Sequence, residues 1–208
     1  IPVCEPLLLG NERKYVDEAL DSGWISSAGK FVEAFEKEFA NYCRSSYAVG
    51  VTNGTTALHL AIRALGIGKG DEVIVPNFTM ISSALAVCYA GAIPVFVDAD
   101  PQTWNIDSQK IEEKITNKTK AIMVVHIFGL PCDMDAIAAI AEKHKLPIIE
   151  DAAEAHGATY DGHVVGSIST ISCFSFYANK NITCGEGGMV VTNEKDLYYK
   201  CRYYKNLC

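Results

Sequence analysis

Apolar residues recur at every third or fourth position over residues 11–23 (NERKYVDEALDSG) and 31–43 (FVEAFEKEFANYC), with charges between them. That spacing predicts two amphipathic helices. SYAVGVTNG (46–54) is a short apolar run that predicts a strand ending in Asn-Gly, and TTALHLAIRALG (55–66) predicts a helix closed by glycine. DEVIVP (71–76), ISSALAVCYAG (81–91), AIPVFVDAD (92–100), KAIMVVHIF (120–128), CDMDAIAAIAEKHK (132–145), LPIIEDAA (146–153), ISCFSFY (171–177) and GGMVVTN (187–193) continue the alternation, and the last stretch, from Glu194 on, predicts a helix. The Val/Ile runs are uninterrupted rather than alternating, which suits strands covered on both faces. The expected fold is therefore α/β, a mostly parallel sheet with helices on each side. With no internal repeat, low-complexity segment or linker, residues 1–208 read as one domain.

Composition narrows the function classes. Apolar residues make up 49% of the chain and charged residues 21%, as in a soluble globular protein. The net charge of −7 argues against a nucleic-acid partner, which would need a basic footprint. No run approaches the length of a membrane span and the start, IPVCEPLLLG, carries no basic leader, so a cytoplasmic location is expected. The eight cysteines form no CxxC pair and several stand in apolar runs, so they read as reduced thiols and not as a disulfide frame. Ligand spacing for a metal is absent as well.

In a mostly parallel sheet, ligands gather beyond the carboxyl ends of the strands. Four such places carry suitable chemistry. Thr52-Asn53-Gly54-Thr55-Thr56 runs from a strand into a helix, where free backbone N–H groups and hydroxyls can seat a phosphate or simply cap the helix. Glu150-Asp151 ends a strand and can hold a proton on a heterocyclic nitrogen or cap a loop. Lys180, followed by Gly185, Gly187 and Gly188, can act as a nucleophile toward carbonyls beside backbone that approaches a flat ligand closely. Ser175 offers a further hydroxyl. Phosphate seat, carboxylate and amine are together the three handles of pyridoxal 5′-phosphate (PLP). No GxGxxG fingerprint competes, and GEGG lies between strands instead of opening a helix. His59, His126, His144 and His163 read as solvated or core residues, and His156, five residues after Asp151, is left open as a second-layer partner.

The motifs GWISSAGKFVEAFE, TNGTTALHLAI, DEVIVPNFT, GAIPVFVD, HIFGLPCDMDAI, IIEDAAEAHGA and SFYANKNITCGEGGMVVTN, which run in order over essentially the whole chain, resemble the DegT/StrS family of sugar aminotransferases. The resemblance implies the aspartate-aminotransferase type of fold (fold type I), with residues 1–208 as its PLP-binding large domain and the family's smaller C-terminal domain absent. It implies that Lys180 is the Schiff-base lysine, that Asp151 partners the pyridine nitrogen, that Gly54, Thr55 and Ser175 hold the phosphate, and that Glu154 lies near the phenolic oxygen. Met80 stands where the family usually places an aromatic residue over the cofactor ring. The implied reaction is ping-pong transfer of an amino group from L-glutamate to a keto group on a nucleotide-linked 4-keto-6-deoxy sugar, leaning to the perosamine-synthase-like branch. The implied assembly is a homodimer whose site is completed across the interface. A related lyase branch that removes a sugar hydroxyl carries histidine where Lys180 stands, and a chain that folds without catalysis is the other alternative.

Overall fold

The longer strands of this chain are rich in valine and isoleucine, residues that fit a pleated and covered surface. The computed structural model describes residues 5–27 and 29–206. In chain order the elements are α1 (Glu12–Ser22), α2 (Lys30–Tyr42), β1 (Tyr47–Val51), α3 (Gly54–Ala64), β2 (Glu72–Pro76), α4 (Ser82–Tyr89), β3 (Ile93–Val97), α5 (Ser108–Ile111), β4 (Thr119–Val125), α6 (Met134–His144), β5 (Ile148–Asp151), β6 (Thr159–Tyr160), β7 (His163–Val164), β8 (Ile171–Ser175), β9 (Gly188–Thr192) and α7 (Lys195–Lys205).

Seven strands form one sheet in the order β1-β9-β8-β5-β4-β2-β3, and β6 and β7 form a separate small hairpin. The neighbours from β8 through β3 are all parallel, whereas β9 runs antiparallel to both β1 and β8. The edge strand β3 tolerates Pro94 and half-exposed Ile93 and Phe96, as an edge can. Strand register brings three carboxyl ends together: Val125 pairs with Asp151, and Asp151 with Cys173, two residues before Ser175.

Side chains alternate between the two faces. Met123, Ile149, Cys173 and Val190 join Leu58 and Ile62 of α3 and Leu197 of α7 on one side. On the other, Phe174, Met189 and Val191 pack against Phe39 of α2, while Ile122 and Val124 pack against Ile137 of α6. Helices therefore cover both faces, as the uninterrupted apolar runs predict. Buried Glu36 of α2 accepts hydrogen bonds from the Gly50 N–H (2.8 Å), Lys205 Nζ (2.8 Å) and Arg202 Nη1 (3.1 Å), fastening α2, β1 and α7 together.

Local details differ from the expected spans for identifiable reasons. The strand expected over 46–54 stops at Val51, because Asn53 is already the cap of α3. In the segment 92–100 the strand proper ends at Val97; Asp98 turns to accept from Asn77 Nδ2 (2.7 Å), and Ala99 makes only an isolated antiparallel bridge with Ile106. The apolar residues of α1, including Val16 and Leu20, remain exposed. The last helix is seen to Lys205, and Cys4 and Cys208 lie outside the described residues. Cys43, Cys132, Cys173 and Cys201 are buried free thiols, and Cys88 and Cys184 exposed ones.

Candidate functional site

Asn53 is the first determinant of the site. Its side chain accepts from the Thr56 N–H (2.9 Å) while the Thr56 hydroxyl faces the Asn53 N–H (3.1 Å), a reciprocal cap that fixes where α3 begins. Asn53 O takes the Ala57 N–H (3.1 Å). The N–H groups of Gly54 and Thr55 are left with no partner among the described residues, at the positive end of the helix dipole. Opposite them is Ser175, so close that a Cβ on Gly54 would stand 2.8 Å from Ser175 Cβ. Ser175 Oγ accepts from the Tyr177 N–H (3.3 Å), which leaves its own proton to give. Ser175, Gly188 and Val51 share one rung of the sheet. Gly188 is required there: a Cβ would lie 2.3 Å from Asn53 O.

A cleft of about 500 Å³ opens beside this seat, and its walls include Gly54, Thr55, Met80, Asp151, Glu154, Ser175 and Lys180. All seven residues that the family resemblance assigns to the cofactor thus border one cavity. Met80 is 69% exposed at the rim. A different apolar hollow of about 690 Å³, between α2, α3 and the end of α7, contains none of these residues and is not the place where the chemistry collects.

Neighbours on one strand, Glu150 and Asp151 point to opposite faces and have different duties. Glu150 is fully buried, and its carboxylate accepts from Ser169 N–H (3.0 Å), Ser172 Oγ (2.9 Å), Gly166 N–H (3.0 Å) and His126 Nε2 (3.0 Å). Burial alone would raise its pKa, but these donors hold it below the usual carboxylate range. His126 Nδ1 accepts from the Cys132 N–H (3.1 Å), so the ring proton sits on Nε2 and is given to Glu150. This pair is a structural knot, which agrees with the core reading of His126.

Asp151 faces the cleft from a buried position. Its Oδ2 accepts from Ser83 Oγ (2.7 Å) and its Oδ1 from the Ala153 N–H (3.2 Å). Burial pushes its pKa up, and the hydrogen bonds from Ser83 and Ala153, with the charge of Lys180, act against that rise. Lys180, with 14% of its side chain exposed, places Nζ 3.2 Å from Glu154 Oε1. Glu154 Oε2 in turn accepts from the Phe128 N–H (2.9 Å), at a residue held in the left-handed region (φ 50°). Before any ligand is considered, the half-buried lysine is compensated by this ion pair. Glu154 therefore acts as an acceptor for two donors.

His156 is buried among Phe39, Phe174 and Phe176, and neither of its ring nitrogens has a hydrogen-bond partner among the described residues. It makes no hydrogen bond to Asp151, so the second-layer role left open for it is not seen. Burial, helped by the charge of Lys180, lowers its pKa to about 4. Two residues of the site escape sequence reasoning: Ser83, and Thr79 behind it at 2.8 Å. Hydroxyls at the start of a predicted helix read as ordinary capping residues, and nothing local points to a partner on another strand.

The residues fit PLP by their donor set: two free N–H groups and a hydroxyl facing one another across a narrow seat, a buried carboxylate, and a shielded amine along one cleft.

Comparison with known proteins agrees with this geometry. The chain is 56% identical over 205 residues to GDP-perosamine synthase of Escherichia coli O157:H7, covering 99% of this chain and 56% of the relative. It superposes on the crystal structure of an aminotransferase from Psychrobacter cryohalolentis with a TM-score of 0.92 at 46% identity, over 97% of this chain and 52% of that one. A protein of Streptococcus pneumoniae described as a sugar aminotransferase, solved in its PLP form, matches with a TM-score of 0.92 at 33% identity, over 97% of this chain and 57% of that one. The chain thus spans about half the length of the relatives it matches. With residues 8–208 matching that family throughout, and the sheet of a fold type I aminotransferase beneath them, the chain belongs to the DegT/DnrJ/EryC1/StrS aminotransferase family.

Proposed function

We propose that residues 1–208 are the PLP-binding large domain of a nucleotide-sugar aminotransferase that moves an amino group from L-glutamate to the keto group of a nucleotide-linked 4-keto-6-deoxy sugar. The observation that carries the reading is the single cleft bordered by the free N–H groups of Gly54 and Thr55, Ser175, Asp151 and Lys180. The relatives named GDP-perosamine synthase, at 56% and 57% identity, support a perosamine-type sugar. A cytoplasmic homodimer is the expected setting. Among the described residues, no helix is long and apolar enough to cross a membrane.

PLP, when bound, supplies an electron sink and a carrier for the amino group. Each protein group then has a defined task. The Gly54 and Thr55 N–H groups and the Ser175 hydroxyl bind the phosphate, with the α3 dipole favouring its charge. Asp151 holds a proton at the pyridine nitrogen. Lys180 carries the cofactor and, once its amine is free, moves a proton at the α-carbon of the amino donor. Glu154 anchors that amine and the Phe128 loop at the cleft mouth, beside the expected position of the phenolic oxygen. Met80 offers a thioether to the ring face.

The test is to supply the protein with PLP, L-glutamate and a panel of nucleotide-linked 4-keto-6-deoxy sugars, and to follow 2-oxoglutarate and the aminated sugar by mass spectrometry. Turnover with at least one ketosugar is expected. Cofactor binding without turnover on any of them would overturn the substrate assignment, and failure to bind PLP would overturn the site. Sedimentation of the loaded protein is expected to give a dimer, and a cofactor-loaded monomer would contradict the assembly.

A further inference from the structure

Ser83 lies in the first turn of α4 and is completely buried. A serine in a helix's first turn ordinarily bonds to nearby backbone. Instead it reaches across to β5 and donates to Asp151 Oδ2 at 2.7 Å, a partner 68 residues away in the chain. Thr79 Oγ1 stands 2.8 Å from Ser83 Oγ. With Asp151 Oδ2 as the acceptor, Ser83 spends its one proton on that bond, and the Thr79 hydroxyl then donates to Ser83. Two hydroxyls are thereby polarised in series toward one carboxylate, an arrangement in which each bond strengthens the next in a low-dielectric interior.

We propose that Ser83, backed by Thr79, is a positioning residue for Asp151: it holds the buried carboxylate ionised and fixes its rotation, so that an unused lone pair is presented to the ring nitrogen of a cofactor in the cleft. The inference rests on the PLP reading for its last step, but the relay itself is a property of the protein alone. A carboxylate with so little water around it would otherwise drift toward its neutral form, which cannot keep a ring nitrogen protonated. Among the described residues, the charged groups that border the cleft with Asp151 are Lys180, Glu154 and Glu186, and the titratable groups His126 and Cys173 lie near it as well. Lys180 is the only cation of the cleft lining, and it is already engaged by Glu154. The hydroxyl relay is therefore the main local support of the charge that stays in place when the lysine amine changes partners. Ala153 supplies the other oxygen with a longer bond of 3.2 Å from its N–H.

The experiment compares wild type with Ser83→Ala, Ser83→Thr and Thr79→Val. In the cofactor-free proteins, aspartate side-chain carboxyl carbons are labelled, the Asp151 signal is assigned by its loss in Asp151→Asn, and its chemical shift is followed against pH. The titration is expected to move upward in Ser83→Ala, to move upward by less in Thr79→Val, and to return to the wild-type position in Ser83→Thr. In the same proteins, the dissociation constant for PLP is expected to rise about ten- to a hundredfold in Ser83→Ala, the loss of one hydrogen bond to a charged group, and to recover in Ser83→Thr. An Asp151 titration unmoved in folded Ser83→Ala overturns the proposal. Should that variant not fold, an unmoved titration in Thr79→Val overturns it equally. If Asp151 responds as expected while wild type fails to bind PLP, the relay stands and the cofactor reading falls.

Discussion

Acid should weaken this protein through His156 in particular. The imidazole is buried in an aromatic nest with neither nitrogen hydrogen-bonded among the described residues, so burial and the charge of Lys180 disfavour its protonated form by more than the nearby Ser175 backbone favours it. Its pKa falls from 6.5 to about 4. A histidine whose pKa is lower folded than unfolded binds fewer protons in the native state, so its contribution is fully present above about pH 6.5 and is lost as the pH falls toward 4. Between pH 7 and pH 5 the loss is about 2 kcal/mol, from the difference in proton binding of the two states at those values. Denaturant unfolding at pH 7 and pH 5 reads this for wild type and His156→Phe, a substitution that keeps a ring beside Phe39, Phe174 and Phe176. Both proteins share every other titrating group, so the difference between their pH dependences isolates the histidine. The variant is expected to lose about 2 kcal/mol less than wild type over this interval. An identical pH dependence in the two proteins would refute the reasoning.

Three further substitutions probe separate parts of the account. Glu36→Gln removes the charge that Arg202 and Lys205 share at the junction of α2, β1 and α7; urea unfolding should show a loss of about 2 kcal/mol or more, and no loss would mean the junction is held by packing alone. Gly188→Ala drives a methyl to 2.3 Å from Asn53 O, against backbone that has nowhere to go. Thermal unfolding should show a cost of about 1–3 kcal/mol together with weaker PLP binding, since the phosphate seat must shift; unaltered affinity would separate Gly188 from the seat. Glu154→Gln retains a single acceptor oxygen for the two donors Lys180 Nζ and Phe128 N–H. Hydrogen exchange at Phe128 and Gly129 should accelerate while PLP binding remains nearly intact, and loss of binding would show that the negative charge itself is required.

The strand ends and their chemistry were legible because the signal is local. Apolar runs end close to Thr52 and Asp151, where a parallel sheet delivers side chains to one edge, whereas ISCFSFY runs on past Ser175, where the strand itself ends. Lys180 drew notice because small residues follow it, and it does lie inward. What the sequence withheld is relational. The antiparallel insertion of β9 between β1 and β8 depends on pairing across more than a hundred residues, which no periodicity encodes. The partnership of Ser83 with Asp151 is equally invisible, since ISSALAV reads only as the start of a helix. Glu150 and Asp151 look alike in the sequence, and only the pleat sends one into a web of structural donors and the other into the cleft. His156, left open as a partner of Asp151, is instead enclosed by phenylalanines contributed by α2, β8 and the segment just after β8.

The central claim is that one lysine in this chain carries the cofactor. Loading the protein with PLP, reducing with borohydride and mapping the labelled peptide by mass spectrometry tests it directly. The label is expected on Lys180, in the peptide that contains Asn179 and Asn181, with a visible absorption band that disappears on reduction. A label on Lys195, Lys200 or Lys205 of α7 instead, or no covalent label at all, would contradict the account.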